Sequence, residues 1–214
     1  MIKGVLFDMD GVLVDSEEYI AKAAVEMFRR EGVEVKEEDF IPFVGSGEDR
    51  YLGGVAEKYN HTIDINEAKE KTYNIYGEMV EGNLSPLSGV VAFIDKAKSK
   101  GLKLAVATSA DRIKMDINLK NIGISGDTFD ATVNGLEVEL KKPFPDIFKL
   151  AAKKIGLKPE ECLVVEDAVS GVEAAKSAGA KCLGLITSFT GEELAQADWI
   201  SNTLADAPDE CLEW

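Results

Sequence analysis

Two aspartates separated by one residue follow the first apolar run of the chain. The run Gly4–Phe7 leads into Asp8, Met9, Asp10 and Gly11. Side chains alternate along an extended strand, so Asp8 and Asp10 can point the same way, and Gly11 permits a sharp turn. One carboxylate could attack phosphorus, while the other, when protonated, could donate a proton to the leaving oxygen and then activate water. The residue types leave a second interpretation open, in which these aspartates cap a turn or a helix.

More oxygen-bearing side chains follow two later apolar runs. Thr108 and Ser109 come after the run at 103–107, and Glu166 and Asp167 come after the run at 162–165. If these runs are parallel strands of one sheet, their carboxyl ends meet at one edge. Four carboxylates buried there require a cation. Oxygen ligands without histidine or cysteine favour Mg²⁺.

The elements that position these residues alternate along the chain. Short runs rich in Val, Leu and Ile predict buried strands, and amphipathic segments between them predict helices. This alternation is typical of an α/β fold in which a doubly wound parallel sheet is covered on both faces. The predicted strands are 4–7, 103–107, 131–133, 162–165 and 181–185, and the predicted core helices are 90–100, 110–121, 145–155 and 170–178.

The interval 16–83 interrupts that alternation. It shows only helical patterns, at 17–31, 48–59 and 66–81, and no convincing buried strand. We therefore expect an all-helical domain of residues 16–83 inserted after the first strand, with residues 1–15 and 84–214 forming the core domain. In the alternative interpretation, these helices pack on the core without forming a domain.

Composition narrows the classes of function. The 214 residues include 24 Lys plus Arg and 39 Asp plus Glu, with a net charge of −15, which disfavours nucleic-acid and anionic-membrane binding. No apolar run approaches the roughly 20 residues of a membrane span, and the first run starts too close to Met1 for a signal peptide. The three cysteines have neither disulfide nor zinc spacing. These features predict a cytoplasmic protein, and a monomer is the default.

The segment from Phe7 to Ser16 closely resembles the first motif of the haloacid dehalogenase-like superfamily. Three further motifs of that family have counterparts in order: Thr108 after a strand, Lys142 before Pro-Phe-Pro, and Glu166 with Asp167. The helical interval resembles the C1-type cap of β-phosphoglucomutase-like members. The resemblance extends over the whole chain and implies a Rossmann-like core, Mg²⁺ and a small phosphorylated metabolite as substrate.

The resemblance also implies roles for individual residues. Asp8 would be the nucleophile that forms an aspartyl-phosphate, and Asp10 the general acid and base. Thr108 and the backbone amides of Ser109 and Ala110 would bind phosphoryl oxygens, and Lys142 would neutralise the transferring group. The implied Mg²⁺ ligands are Asp8, the backbone carbonyl of Asp10, and Asp167, with Glu166 binding directly or through water.

Within this family the chain most resembles a phosphatase. Asp10 favours phosphoryl transfer over dehalogenation, because a phosphate-ester leaving group needs an acid. At positions where β-phosphoglucomutase-type enzymes carry phosphate-binding or sugar-orienting residues, the chain has Ile20, Gly47 and Glu78, and Glu78 would repel a second phosphate. Substitution of the missing basic residues by the nearby Arg50 or by Lys58 stays open. A sugar phosphomutase remains the alternative, followed by a catalytically silent binding module.

The stretch around residues 43–50 is predicted to form a substrate-selecting loop facing the active site. Its candidate binding residues are Gly45, Ser46, Gly47, Glu48 and Arg50. The same pattern also fits an ordinary helix N-terminus, with Ser46 as the cap and acidic residues favoured by the helix dipole.

Overall fold

A parallel β-sheet forms the centre of the protein, seen here in a computed structural model that describes residues 1–44 and 47–214. In the described residues the sheet has six strands, in the order β3-β2-β1-β4-β5-β6, and all neighbouring pairs are parallel. The central position of β1 confirms the predicted doubly wound α/β fold. The strands are β1 (Gly4–Phe7), β2 (Lys103–Ala107), β3 (Ala131–Val133), β4 (Cys162–Glu166), β5 (Lys181–Leu185) and β6 (Trp199–Ser201).

Strand β6 is not predicted from the sequence, in which the last predicted strand is β5. It is three residues long and pairs only with β5 at the edge of the sheet. Trp199 is half-buried, Ile200 is exposed and Ser201 is buried. β6 therefore lacks the continuous apolar run by which the buried strands could be recognised.

The helices lie close to their predicted positions. Between β1 and α4, the described residues of the interval 16–83 contain helices and turns but no strand, and α1 packs along α3. The division into two domains at residues 16 and 83 stays a prediction. None of the described helices is long and apolar enough to cross a bilayer. The helices are α1 (Glu17–Arg30), α2 (Glu48–Lys58), α3 (Ile65–Val80), α4 (Val90–Ser99), α5 (Arg112–Asn121), α6 (Asp146–Lys154) and α7 (Val169–Ala178).

Alternate side chains of each central strand enter two apolar layers. Val5 and Phe7 pack with residues of α1, α3, α4 and α5, and the ring of Phe7 meets that of Phe93 edge-on at 6.1 Å. Leu6 faces the opposite layer, where it packs with Phe148 of α6 and residues of α7. Burial on both faces explains why these strands are apolar throughout. It leaves the carboxyl edge of the sheet as the place for polar groups.

Candidate active site

The carboxyl ends of three central strands are level with one another. Phe7, the last residue of β1, lies opposite Val106 of β2 and Val165 of β4. Asp8 therefore follows β1 beside Glu166, the last residue of β4. Together with Thr108 after β2 and Asp167 after β4, they line one cavity of about 140 Å³, bounded on its other side by α1, α2 and the segment before α2. The structure thus brings together the candidates from all three strands.

Gly11 makes the turn after Asp10 possible. Its φ is +74°, in the left-handed region that favours glycine. A Cβ atom at this position would lie 1.9 Å from Oδ2 of Asp167. Glycine is therefore required both by the backbone conformation and by the close approach of a carboxylate.

Lys142 joins two of the carboxylates. Its Nζ donates to Oδ1 of Asp8 at 2.6 Å and to Oε1 of Glu166 at 2.5 Å, and its side chain is only 5% exposed. The other oxygen of Glu166, Oε2, accepts hydrogen bonds from the backbone N–H groups of Asp167 and Ala168 at 2.8 and 2.9 Å. Both oxygens of Glu166 are therefore engaged, and this side chain orients Lys142 toward Asp8.

The cluster of carboxylates formed by Asp8, Glu166 and Asp167 is electrostatically unfavourable without a further cation, because it is buried. Burial raises the pKa of Asp8 to about 7; the positive charge of Lys142 opposes this rise, and the negative charge of Glu166 adds to it. The pKa of Asp167 is also raised, first by burial and then by the negative charges of Glu166 and Asp8. Oxygen atoms of these three carboxylates lie within 4.8 Å of one another. Hard oxygen donors with excess negative charge fit a divalent cation such as Mg²⁺.

Asp10 has a different set of partners from Asp8. Its Oδ2 lies 2.9 Å from Nζ of Lys114, while Oδ1 accepts hydrogen bonds from the Ser16 hydroxyl and, at 3.3 Å, from Nδ2 of Asn118. The hydroxyl of Tyr76, in α3, donates to Oδ1 of Asn118. This chain of contacts links α3 to α5 and to Asp10, so the helical interval helps to hold the second aspartate.

Three residues that contact the predicted carboxylates from distant parts of the chain were not predicted, and neither was Glu17, which lines the cavity. Lys114 and Asn118 lie on the face of α5 that also buries Met115 and Leu119, so helical periodicity could have placed them inward. The Ser188 hydroxyl donates to Oδ2 of Asp167 from the loop after β5. Ser188 could have been identified by looking for polar residues after the carboxyl end of β5, as was done for β1, β2 and β4.

Thr108 is 1% exposed and lies directly beyond β2. Its Oγ1 accepts a hydrogen bond from the backbone N–H of Ala110 at 3.1 Å, so its hydroxyl hydrogen is available to a ligand in the cavity. Ser109 and Ala110 also line the cavity. The Ala110 amide, predicted to bind a phosphoryl oxygen, is thus already engaged by Thr108.

The predicted substrate loop is partly present at the cavity. Gly47 and Glu48, at the start of α2, both line it. Gly45 and Ser46 lie outside the described residues, and their predicted role stays a prediction. Arg50 does not line the cavity: its guanidinium pairs with Glu57 at 2.8 Å and lies 5.1 Å from the ring centre of Phe43, which does line it. The predicted role of Arg50 stays a prediction.

Two of the three positions compared with mutases reach the cavity. Ile20 and Gly47 line it, whereas Glu78 is exposed on α3 and lies outside the lining. The expectation that Glu78 faces a second phosphate is therefore wrong, since Glu78 lies on the exposed side of α3. The carboxylates on this side of the cavity belong instead to Glu17 and Glu48.

A parallel α/β core with paired aspartates after its first strand defines a known class of hydrolases. The family model described as "Haloacid dehalogenase-like hydrolase" matches residues 5–185. The chain belongs to this family, which confirms the family resemblance and the prediction of a hydrolase.

Proteins similar to this chain differ widely in overall size. Protein SUPPRESSOR OF QUENCHING 1, chloroplastic, from Arabidopsis thaliana is 45% identical over 202 residues, but the match covers 92% of this chain and 19% of that protein. Validoxylamine A 7'-phosphate phosphatase from Streptomyces hygroscopicus subsp. limoneus is 29% identical, and the match covers 96% of this chain and 96% of that protein. The crystal structure of CbbY from Rhodobacter sphaeroides in complex with phosphate has a TM-score of 0.88 and 27% identity, with both chains covered completely. The cytoplasmic location stays a prediction.

Proposed function

We propose that this protein is a Mg²⁺-dependent phosphatase of small phosphomonoesters that acts through an aspartyl-phosphate on Asp8. The observation that carries the proposal is the different environment of two aspartates in one cavity. Asp8 is bound by Lys142 beside Glu166, whereas Asp10 is bound by Ser16, Lys114 and Asn118. The similarity to a phosphatase and to a phosphate-bound structure supports the same reaction class.

In the proposed reaction, each aspartate carries out one step. A carboxylate oxygen of Asp8 bonds to phosphorus as the bond from phosphorus to the leaving oxygen breaks, and Asp10 gives its proton to that oxygen. Asp10 then takes a proton from water, whose oxygen attacks phosphorus and releases phosphate from Asp8. Lys142 orients Asp8 and offsets negative charge on the phosphoryl group, and the Thr108 hydroxyl donates to a phosphoryl oxygen.

Asp8 and Asp167 would hold Mg²⁺, with the backbone carbonyl of Asp10 as a further ligand and Glu166 acting directly or through water. The bound ion would supply positive charge against the phosphoryl oxygens during transfer. In its absence, burial favours the protonated form of Asp8, which is not nucleophilic.

The test is phosphate release from a panel of sugar phosphates, nucleotides and simple esters, with Mg²⁺ or with EDTA. We expect release that requires Mg²⁺ and is abolished in Asp8→Asn, while the matched variant Asp95→Asn, at an exposed position on α4, retains it. Release that persists in Asp8→Asn would refute the proposal. Conversion of β-glucose 1-phosphate to glucose 6-phosphate with little free phosphate would show a mutase instead.

A further inference from the structure

The cavity wall opposite the sheet edge is formed by the helical interval and is acidic. It contains the carboxylates of Glu17, from α1, and Glu48, from α2, together with apolar surface from Ile20, Phe43 and Tyr51. Under the proposed function, the phosphate of a substrate lies at Asp8, so its leaving group extends toward this wall.

Cations in the cavity are already paired with carboxylates. Of the described residues that line it, only Lys114 and Lys142 are cationic, and both come from the core side. Lys142 binds Asp8 and Glu166, and Lys114 binds Asp10. The two positions outside the described range, 45 and 46, are glycine and serine by sequence and add no charge. The guanidinium of Arg50 stacks on Phe43 at 5.1 Å from the ring centre, but it does not line the cavity and is paired with Glu57. A second phosphate in the leaving group would therefore meet Glu17 and Glu48, with no unpaired cation among the described residues that line the cavity.

Glu48 also has an unsatisfied hydrogen-bonding atom. The residue is 9% exposed, and its Oε2 has no hydrogen-bond partner within residues 1–44 and 47–214. Buried carboxylate oxygens are nearly always paired, because an unpaired one loses its hydration without compensation. Burial raises the pKa of Glu48 to about 7, with Lys114 opposing the shift. Because Glu48 lines the cavity, a ligand donor that reaches its carboxylate would satisfy this buried oxygen.

Glu17 and Glu48 form no direct ion pair with the buried Lys114 among the described residues. Its one direct ion pair is with Asp10 among the described residues. The two glutamates therefore retain acceptor capacity toward the cavity.

We infer that Glu48, assisted by Glu17, selects phosphomonoesters whose leaving group carries hydrogen-bond donors, as hydroxyl or ammonium groups, and no second phosphate. This inference rests on the proposed function for the orientation of the substrate. It makes Glu48 a specificity residue that contacts the leaving group, at a distance from the reacting phosphorus.

The experiment compares binding of matched ligands to Asp8→Asn by calorimetry in the presence of Mg²⁺. The pairs are glucose 6-phosphate with glucose 1,6-bisphosphate and fructose 6-phosphate with fructose 1,6-bisphosphate. Ethyl phosphate serves as an ester without donors, and glucosamine 6-phosphate distinguishes ammonium from hydroxyl donors. Glu48→Gln is then added to Asp8→Asn, with Glu57→Gln as the control, because Glu57 lies on the exposed side of the same helix. Glu17→Gln repeats the test should Glu48→Gln fail to fold.

We expect each monophosphate to bind at least tenfold more tightly than its bisphosphate and than ethyl phosphate. Glu48→Gln should reduce the preference over the bisphosphate at least fivefold, while Glu57→Gln leaves it unchanged. Four results would each overturn the inference. The bisphosphates could bind as tightly as the monophosphates or more tightly, or ethyl phosphate could bind as tightly as the sugar monophosphates. No sugar phosphate could bind at all, or Glu48→Gln could leave the preference for monophosphates unchanged. Because these readouts are binding constants, they are separate from phosphate release. Release that survives Asp8→Asn would refute only the proposed function.

Discussion

Replacing Lys142 by methionine removes one buried charge from the carboxylate group while keeping the length of the side chain. Methionine can still pack near Phe148, whose ring centre lies 5.0 Å from the Lys142 nitrogen. Asp8 and Glu166, however, lose hydrogen bonds of 2.6 and 2.5 Å. The substitution therefore tests whether this lysine compensates the carboxylates or is an incidental neighbour.

The expected loss of stability follows from the burial of all three groups. Removing one partner of a buried ion pair costs about 3–5 kcal/mol, because the remaining charge is left without compensation. In urea, a loss of about 3 kcal/mol moves the unfolding midpoint by about 1 M at a slope of about 3 kcal/mol per molar. Phosphate release should fall about 100-fold or more, as for the loss of one group that stabilises transition-state charge.

The pH dependence of this loss has a definite sign. Lys142 keeps its charge throughout the neutral range, since its pKa is raised above 10.5 by Asp8 and Glu166 against the cost of burial. Without Lys142, the pKa of Asp8 rises above its value of about 7. Asp8 then takes up a proton in the folded protein as the pH falls, which relieves the repulsion. The destabilisation should therefore be larger at pH 8.5 than at pH 6.

Urea unfolding in EDTA at these two pH values, followed by circular dichroism, measures both effects. Lys3→Met is the control, because Lys3 lies 2.5 Å from Glu161 but is 57% exposed. An exposed pair of this kind contributes at most about 1 kcal/mol. Equal losses in the two variants, or a loss in Lys142→Met that does not change with pH, would refute the electrostatic reasoning.

Three further predictions concern the neighbours of this group. Without metal, the unfolding free energy of the wild type relative to that of Asp8→Asn should fall as the pH rises from about 4 to about 7. The reason is that folding raises the pKa of Asp8 from 3.8 to about 7. Mg²⁺ should oppose this fall, and urea titrations with and without the ion measure both effects. Gly171→Ala should lower kcat/KM at least tenfold in the phosphate-release assay, since its Cβ would lie 1.9 Å from Oε1 of Glu166; an unchanged rate would show that Glu166 need not orient the lysine. Tyr76→Phe should lower kcat severalfold and shift the pH profile of kcat, because Asn118 loses the hydroxyl that holds it beside Asp10; a change confined to KM would contradict this.

The local sequence was sufficient to predict the central strands and the site residues that directly follow them. Asp8 and Asp10 follow a run that is buried on both faces, and period-two alternation directs both toward the same cavity. Thr108, Glu166 and Asp167 join them because parallel strands deliver their carboxyl ends to one edge. The edge strand β6 was not predicted, because it is short and only partly buried and therefore lacks the apolar pattern of a buried strand.

Tertiary structure decided which side chains meet across the cavity. Lys114 reaches Asp10 across 104 positions of the chain, and Lys142 reaches Asp8 across 134. Composition and periodicity cannot specify such contacts, because they depend on how α5 and the loop before α6 pack on the sheet. The same limit explains the error at Glu78 and the importance of Glu48: both are glutamates on helices of the same interval, but packing exposes one and buries the other at the cavity wall.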